Sequence, residues 1–169
     1  MKELKLTEMQ WKELVETYDI YMDEIEFFLN VETGETVTLR SYDRDDEDEE
    51  LSETIEEGFN EIYYRVPHRE SDEGYIDMVD FTETVSDARL RKRLNDVLNG
   101  GRKIFRRFKD TLSSDSSELQ RYYDFSESRN RERVMEWLQD SGFKVDIIDG
   151  SSKENESDEF DFGTMEKSK

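Results

Sequence analysis

Ile25-Glu26-Phe27-Phe28-Leu29-Asn30-Val31-Glu32-Thr33-Gly34-Glu35-Thr36-Val37-Thr38-Leu39-Arg40 is the stretch from which the fold class follows. In its first half Ile25, Phe27, Leu29 and Val31 alternate with Glu26, Phe28 and Asn30; in its second, Val37 and Leu39 alternate with Thr36, Thr38 and Arg40. Alternation of this kind marks strands with one buried face. Glu32-Thr33-Gly34 between them reads as a hairpin loop with Gly34 in the left-handed conformation. Placing Val31 opposite Glu35 sets Leu29 against Val37 and Phe27 against Leu39, so both apolar sets reach one face. Glu61 to Val66 reads as a third strand, with Ile62, Tyr64 and Val66 inward and Pro67 ending it. Phe28 and Tyr63 then point to the other face, which predicts that something covers it.

Outward from this sheet the periodicity becomes helical. Thr7 and Gln10 have capping-box spacing, with Leu6 and Trp11 placed as a hydrophobic staple. Trp11, Leu14, Val15, Tyr18 and Met22 continue the pattern and predict a helix from Glu8 to Tyr21. Leu51, Ile55 and Phe59 suggest a helix after an acidic loop. From residue 72, Tyr75, Met78, Val79, Phe81 and Val85 mark one helix, and Leu90, Leu94, Val97 and Leu98 a second, stopped by Asn99-Gly100-Gly101. Ile104, Phe105, Phe108 and Leu112 form a third stripe. Ser113 to Ser117 reads as a turn, Leu119 to Phe125 as a short apolar element, and Val134 to Leu138 as part of a last helix ending at Ser141-Gly142. Phe143, Val145 and Ile147 suggest an edge strand. The expectation is one α+β domain over residues 1–148: an antiparallel sheet of about three strands with about five helices. Residues 149–169, rich in Ser, Glu, Asp and Lys, are expected to form a disordered acidic tail.

The 169 residues carry 45 acidic and 24 basic side chains, a net charge of −21, and 33% are hydrophobic. Such a balance favours disorder unless enough apolar surface is buried. Twenty aromatic residues supply that surface, each removing roughly 150–250 Å² from water when buried. There is no cysteine, which excludes disulfides, thiol nucleophiles and thiolate metal sites and fits a reducing compartment. Met1 to Glu8 contains no apolar run of the secretory kind, and no stretch approaches the roughly 20 apolar residues of a membrane helix. A soluble cytoplasmic protein is expected.

Charge is unevenly distributed. Ser86 to Trp137 holds 13 basic and 9 acidic residues, although the chain as a whole is strongly acidic. The densest stretch is Arg102-Lys103-Ile104-Phe105-Arg106-Arg107-Phe108-Lys109. On a helix from residue 102 to 112, Arg102, Arg106 and Lys109 share one face and Lys103 and Arg107 a neighbouring one. Bases beside aromatics can grip a phosphate or a single strand. The structural alternative is that these arginines pair with the chain's own carboxylates. Net charge disfavours nucleic acid, which the whole molecule repels.

Asp43 to Glu57 holds ten carboxylates and one arginine. It lacks the glycine and the bidentate glutamate of a calcium loop, so a solvated charge run is expected. His68, the single histidine, has no nucleophile motif nearby and no second histidine with which to hold a metal. Gly100-Gly101 lacks the Gly-Lys-Ser/Thr continuation of a phosphate loop. No cofactor, metal site or catalytic residue is expected.

Phe28-Leu29-Asn30-Val31-Glu32-Thr33-Gly34-Glu35, Met78-x-x-Phe81, Gly101-x-x-x-Phe105-Arg106-Arg107-Phe108-Lys109-Asp110-x-Leu112, Tyr122-Tyr123-x-Phe125 and Arg131-Glu132-Arg133-x-x-Glu136-Trp137-Leu138 together carry a likeness. Over residues 25 to 148 the chain resembles a bacterial group, the uncharacterised protein family 0158. Tyr122 stands where that pattern has Trp, and the acidic insert and tail are additions of this chain. The resemblance implies a small bacterial protein in which the arginine-rich helix belongs to the shared domain; it brings no catalytic residue.

These readings converge on a non-enzymatic interaction or regulatory protein acting through charged surfaces on a protein partner. The alternative is a phosphate- or nucleic-acid-binding module using Arg102, Arg106, Arg107 and Lys109. A third class is a carboxylate enzyme with a divalent metal.

Overall fold

A computed structural model describes residues 1–149, which divide into two compact units: Met1–His68 with the chain from Val134 onward, and Arg69–Arg133. Among the described residues the architecture is α+β, with six helices, a three-stranded antiparallel sheet and a two-stranded parallel one. The acidic tail expected at the C-terminus lies outside the described residues beyond Asp149.

The first unit begins with β1 (Lys2–Thr7), α1 (Glu8–Tyr18), β2 (Ile25–Asn30), β3 (Thr36–Arg40), α2 (Asp46–Glu57) and β4 (Tyr63–Arg65), and β5 (Phe143–Ile148) returns to it. The expected capping box opens α1: Gln10 N–H donates to Thr7 Oγ1, and Thr7 N–H to Gln10 Oε1, both at 3.0 Å. α1 ends at Tyr18, one turn before the expected stop. β1 was not expected. It pairs in parallel with β5, Leu4 opposite Val145 and Leu6 opposite Ile147, so the C-terminal strand forms a separate sheet with it.

The antiparallel sheet has the order β3-β2-β4. Its hairpin register corrects the expected one by a single residue: Phe28 opposes Val37, and Leu29 opposes Thr36. Asn30 is the physical reason. Its Oδ1 accepts from the N–H groups of Glu32 and Thr33 at 2.9 and 3.1 Å, and its own N–H donates to Glu35 O at 2.8 Å. Val31 thereby joins the loop, its N–H donating to Ile62 O at 2.9 Å, and the loop has four residues instead of three. Gly34 does adopt the left-handed conformation, at φ +82°.

One residue of slip turns each side chain of a strand to the other face relative to its partner. Phe28 and Leu39 are therefore buried together with Ile55, and Val37, Leu51 and Tyr63 pack around them. α2 is the cover that Phe28 and Tyr63 required. On the other face Leu29 joins Leu4, Leu6, Leu14, Tyr18 and Phe143 in the main core of the unit, with Phe27, Tyr64 and Val66 packed there as well. Each large side chain so buried is worth about 1.5–3 kcal/mol over leaving it in water.

α2 starts at Asp46, within the run expected to be loop. Asp45 caps it: its Oδ1 accepts from Asp48 N–H at 2.8 Å while Asp48 Oδ2 accepts from Asp45 N–H at 3.2 Å. Four acids in the first turn suit the positive end of the helix dipole, so this part of the acidic run stabilises a helix start.

The second unit holds α3 (Ser71–Glu83), α4 (Ala88–Leu98), α5 (Ile104–Leu112) and α6 (Ser116–Asp140), the last as far as Arg133. Met78, Phe81, Leu90, Leu94, Phe108, Leu112 and Tyr122 are the centre of its core. The Phe81 ring meets Tyr122 and Phe125 edge-on, with centroids 5.3 and 5.7 Å apart. α6 corrects the expected turn-and-restart after Phe125: Ser116 to Asp140 is one helix of 25 residues. The polar stretch Ser126–Arg133 read as an interruption, but its Arg129 and Arg133 side chains meet carboxylates of α3. No helix among the described residues is long and apolar enough to cross a membrane.

Candidate functional site: a cationic helical hairpin

Residues 88–112, spanning α4 and α5, hold nine basic and two acidic side chains. The local sequence explains how they come to face outward. Asp87 caps α4, its Oδ1 accepting from Arg89 and Leu90 N–H at 2.9 and 3.2 Å. Leu90, Leu94, Val97 and Leu98 are the buried stripe, which leaves Arg89, Lys92 and Arg93 exposed. In α5 the buried residues are Phe108 and Leu112, and Arg106, Arg107 and Lys109 point away from them.

The connection between the helices turns at Gly100 and Gly101. Gly101 has φ +80°, where side chains with a Cβ are strained. A Cβ on Gly100 would stand 2.5 Å from the Arg107 guanidinium, whose Nη1 donates to Arg102 O at 3.1 Å. Lys103 follows in the left-handed region at φ 50° and supplies no side-chain cap to α5. The first N–H groups of α5 therefore have no side-chain acceptor among the described residues, and the positive helix end lies among Arg102, Lys103, Arg106 and Arg107.

The four residues singled out from sequence are all exposed, but they do not share the faces expected of a helix from 102 to 112. Arg102 and Lys103 precede the helix, since α5 begins at Ile104. Arg102 is joined to Arg107 through its backbone carbonyl, and Arg106 and Lys109 lie one turn apart on α5 itself. Lys109 Nζ sits 5.9 Å from the centre of the Tyr123 ring. Arg106 reaches Asp110 at 4.0 Å, with both side chains more than two-thirds exposed. Arg102, Arg107 and Lys109 have no carboxylate partner among the described residues. Lys103, within the densest run, adds to the same charge, and Arg89 and Arg93 extend it from the polar face of α4, outside that run.

The acids organise differently. Arg40 donates to Asp48 Oδ2 at 2.6 Å, and this hydrogen bond lowers the Asp48 carboxyl below the ordinary range and raises the Arg40 guanidinium. Among the described residues no three His, Asp or Glu side chains gather where a metal would be held. His68 lies at the edge of the first unit with its ring 4.3 Å from that of Tyr21.

Fold and surface together define a small α+β protein with an acidic β-containing part and a cationic helical hairpin. The chain belongs to the uncharacterised protein family UPF0158, whose family model matches residues 5–156. That match reaches further toward the N-terminus than the likeness read from the sequence and so takes in α1 and the second half of β1. No curated protein and no solved structure matches the chain.

Proposed function

We propose that the protein is a non-enzymatic interaction protein whose α4–α5 hairpin contacts an acidic surface of a protein partner. The observation that carries this reading is the exposure of Arg102, Arg106, Arg107 and Lys109 with, among the described residues, a single long carboxylate contact for the group. Solvated cations held apart from the chain's own acids keep their charge for a partner. The surrounding net charge of −21 favours a partner that approaches closely at one patch over a long polyanion that meets the whole field.

A second reading, a phosphate-bearing ligand, draws support from the uncapped start of α5 beside Gly100 and Gly101, because exposed amides and a positive helix end suit an anion. One experiment addresses both. The Arg106→Ala/Arg107→Ala variant is compared with wild type for capture of partners from a bacterial lysate and for retention on heparin, at low and moderate salt. Loss of a specific captured protein with little heparin retention in either form supports the first reading. Heparin retention that vanishes in the variant and falls with salt supports the second. Indifference of both readouts to the substitutions sinks both.

A further inference from the structure

A different surface, on the first unit, stands independently of the cationic hairpin. α1 stops at Tyr18, where Asp19 N–H donates to Glu16 O at 3.1 Å, although the apolar spacing runs on to Met22. Ile20, Tyr21 and Met22 consequently lie in the connection to β2, exposed by 43%, 62% and 47%. Three consecutive apolar side chains left in water mark a contact surface more often than an isolated one does. They border a cavity of about 340 Å³ whose walls include Phe27, Pro67 and His68. The Tyr21 hydroxyl donates to the Asp23 carboxylate and its ring lies against His68, which fixes it at the edge of the cavity.

The charged side chains in the cavity walls are Asp23, Glu26 and Arg65, one more carboxylate than cation, with Glu26 paired to Arg65, and Asp19 and Glu24 flank the apolar trio in sequence. Residues 1–68 hold 21 acidic against six basic side chains, so the wider field has the same sign. A cavity of this volume is at the small end of ligand sites, which run from about 300 to 1,000 Å³, and it suits one or two side chains.

We propose that this cavity receives an apolar side chain from a protein segment that carries lysine or arginine on either side of it. The apolar walls take the anchoring side chain, and the carboxylates at and around the rim take the flanking cations. An acidic segment with the same anchor is repelled.

Fluorescence anisotropy tests this with the full-length protein and a labelled synthetic peptide in which a leucine-phenylalanine pair sits between runs of lysine. Saturable binding is expected, weakened about tenfold or more when the pair is replaced by alanines, since burial of one large apolar side chain accounts for at least that factor. A peptide with glutamates for the lysines should not bind. The Tyr21→Ser/Met22→Ser variant should lose the preference for the leucine-phenylalanine peptide while keeping the circular dichroism of wild type, because both side chains are exposed. Independently of any variant, the peptide should shift backbone amide resonances from Ile20 to Phe27 and from Arg65 to His68. Equal affinity for the alanine peptide leaves charge attraction alone and overturns the proposal. So do the absence of saturable binding and resonance shifts centred outside these residues.

Discussion

Arg106 and Arg107 in α5 and Arg129 and Arg133 in α6 belong to the same unit, yet their side chains serve opposite ends. The α5 pair stands in water. Arg133 makes a two-pronged contact with Asp77, Nη1 to Oδ2 at 2.8 Å and Nη2 to Oδ1 at 2.7 Å. Arg129 adds Asp80 at 2.9 Å and reaches Asp77 at 3.4 Å. Asp77 is fully buried, and the Arg133 side chain is only 17% exposed. What separates the two regions is the supply of carboxylates from a second helix. On α3, Glu73, Asp77 and Asp80 recur at helical spacing along one face, opposite two arginines one turn apart on α6. Among the described residues α5 has Asp110 alone within reach. Local density of positive charge therefore says little about use; the geometry of the matching acids decides it.

The strongest test of this contrast is Arg133→Ala. It leaves a buried carboxylate with Arg129 as its weaker partner, and breaking a buried pair from one side costs about 3–5 kcal/mol. Chemical denaturation should show a loss of this order, and a loss below about 1 kcal/mol would place the α6 arginines with ordinary surface pairs. Asn130→Ala should follow at about 1–2 kcal/mol, since buried Asn130 accepts from Arg133 Nη1 at 3.2 Å and its removal takes away one of that group's two acceptors, leaving Asp77 Oδ2.

The same contrast shows how far the sequence could be read. The class of fold, the third strand and the main part of the stripes of α3 to α5 follow from apolar periodicity, and the structure has them, although Tyr75 and Phe105 are exposed and Val85 lies past the end of α3. α6 was hidden because periodicity looks for apolar residues, whereas between Ser126 and Arg133 the inward positions are polar: Arg129 and Arg133 meet carboxylates of α3, and Asn130 accepts from Arg133 within α6 itself. The arginines at 129 and 133, spaced one turn apart and facing an acidic helix, were the available signal. β1 was hidden by its brevity, with only Leu4 and Leu6 to mark it, although their alternation matches Val145 and Ile147 in β5. The hairpin was legible in existence but not in register, because a single side chain, Asn30, lengthened the loop. The exposed cations of α5 were legible as a group; that Arg102 precedes the helix depends on the left-handed backbone at Lys103, which composition does not show.

A smaller effect sits at the start of α6. Asp115 Oδ1 accepts from Ser117 Oγ at 2.8 Å and from Ser117 and Glu118 N–H at 3.2 Å, and these bonds, the Ser117 hydroxyl first, hold its carboxyl below the ordinary range. With the folded value beneath the unfolded one of about 3.9, the cap stabilises fully above that pH, and its contribution disappears as pH falls through the folded value. Asp115→Ala should lower the melting temperature at neutral pH by less than Asn130→Ala does, and the gap to wild type should close on acidification below about pH 4. A gap that persists unchanged in acid would show that the carboxylate is not what holds the first turn of α6.

The smallest expected change in stability is the most informative about use. Arg106→Ala removes an exposed side chain whose nearest acid is 4.0 Å away, so the folded state should shift by no more than about 0.5 kcal/mol. Arg107→Ala also gives up one hydrogen bond to an exposed carbonyl and should cost slightly more, about 0.5–1 kcal/mol. Thermal and denaturant unfolding of the two single variants and of Arg133→Ala, measured side by side, set the α5 and α6 values on one scale. Should Arg106→Ala prove as costly as Arg133→Ala, the α5 cations are structural after all, and no binding role is needed to explain their presence. Near-silence in unfolding, with loss of partner or heparin binding in the double variant, leaves recognition as the reason that a strongly acidic chain keeps this much uncompensated positive charge on one pair of helices.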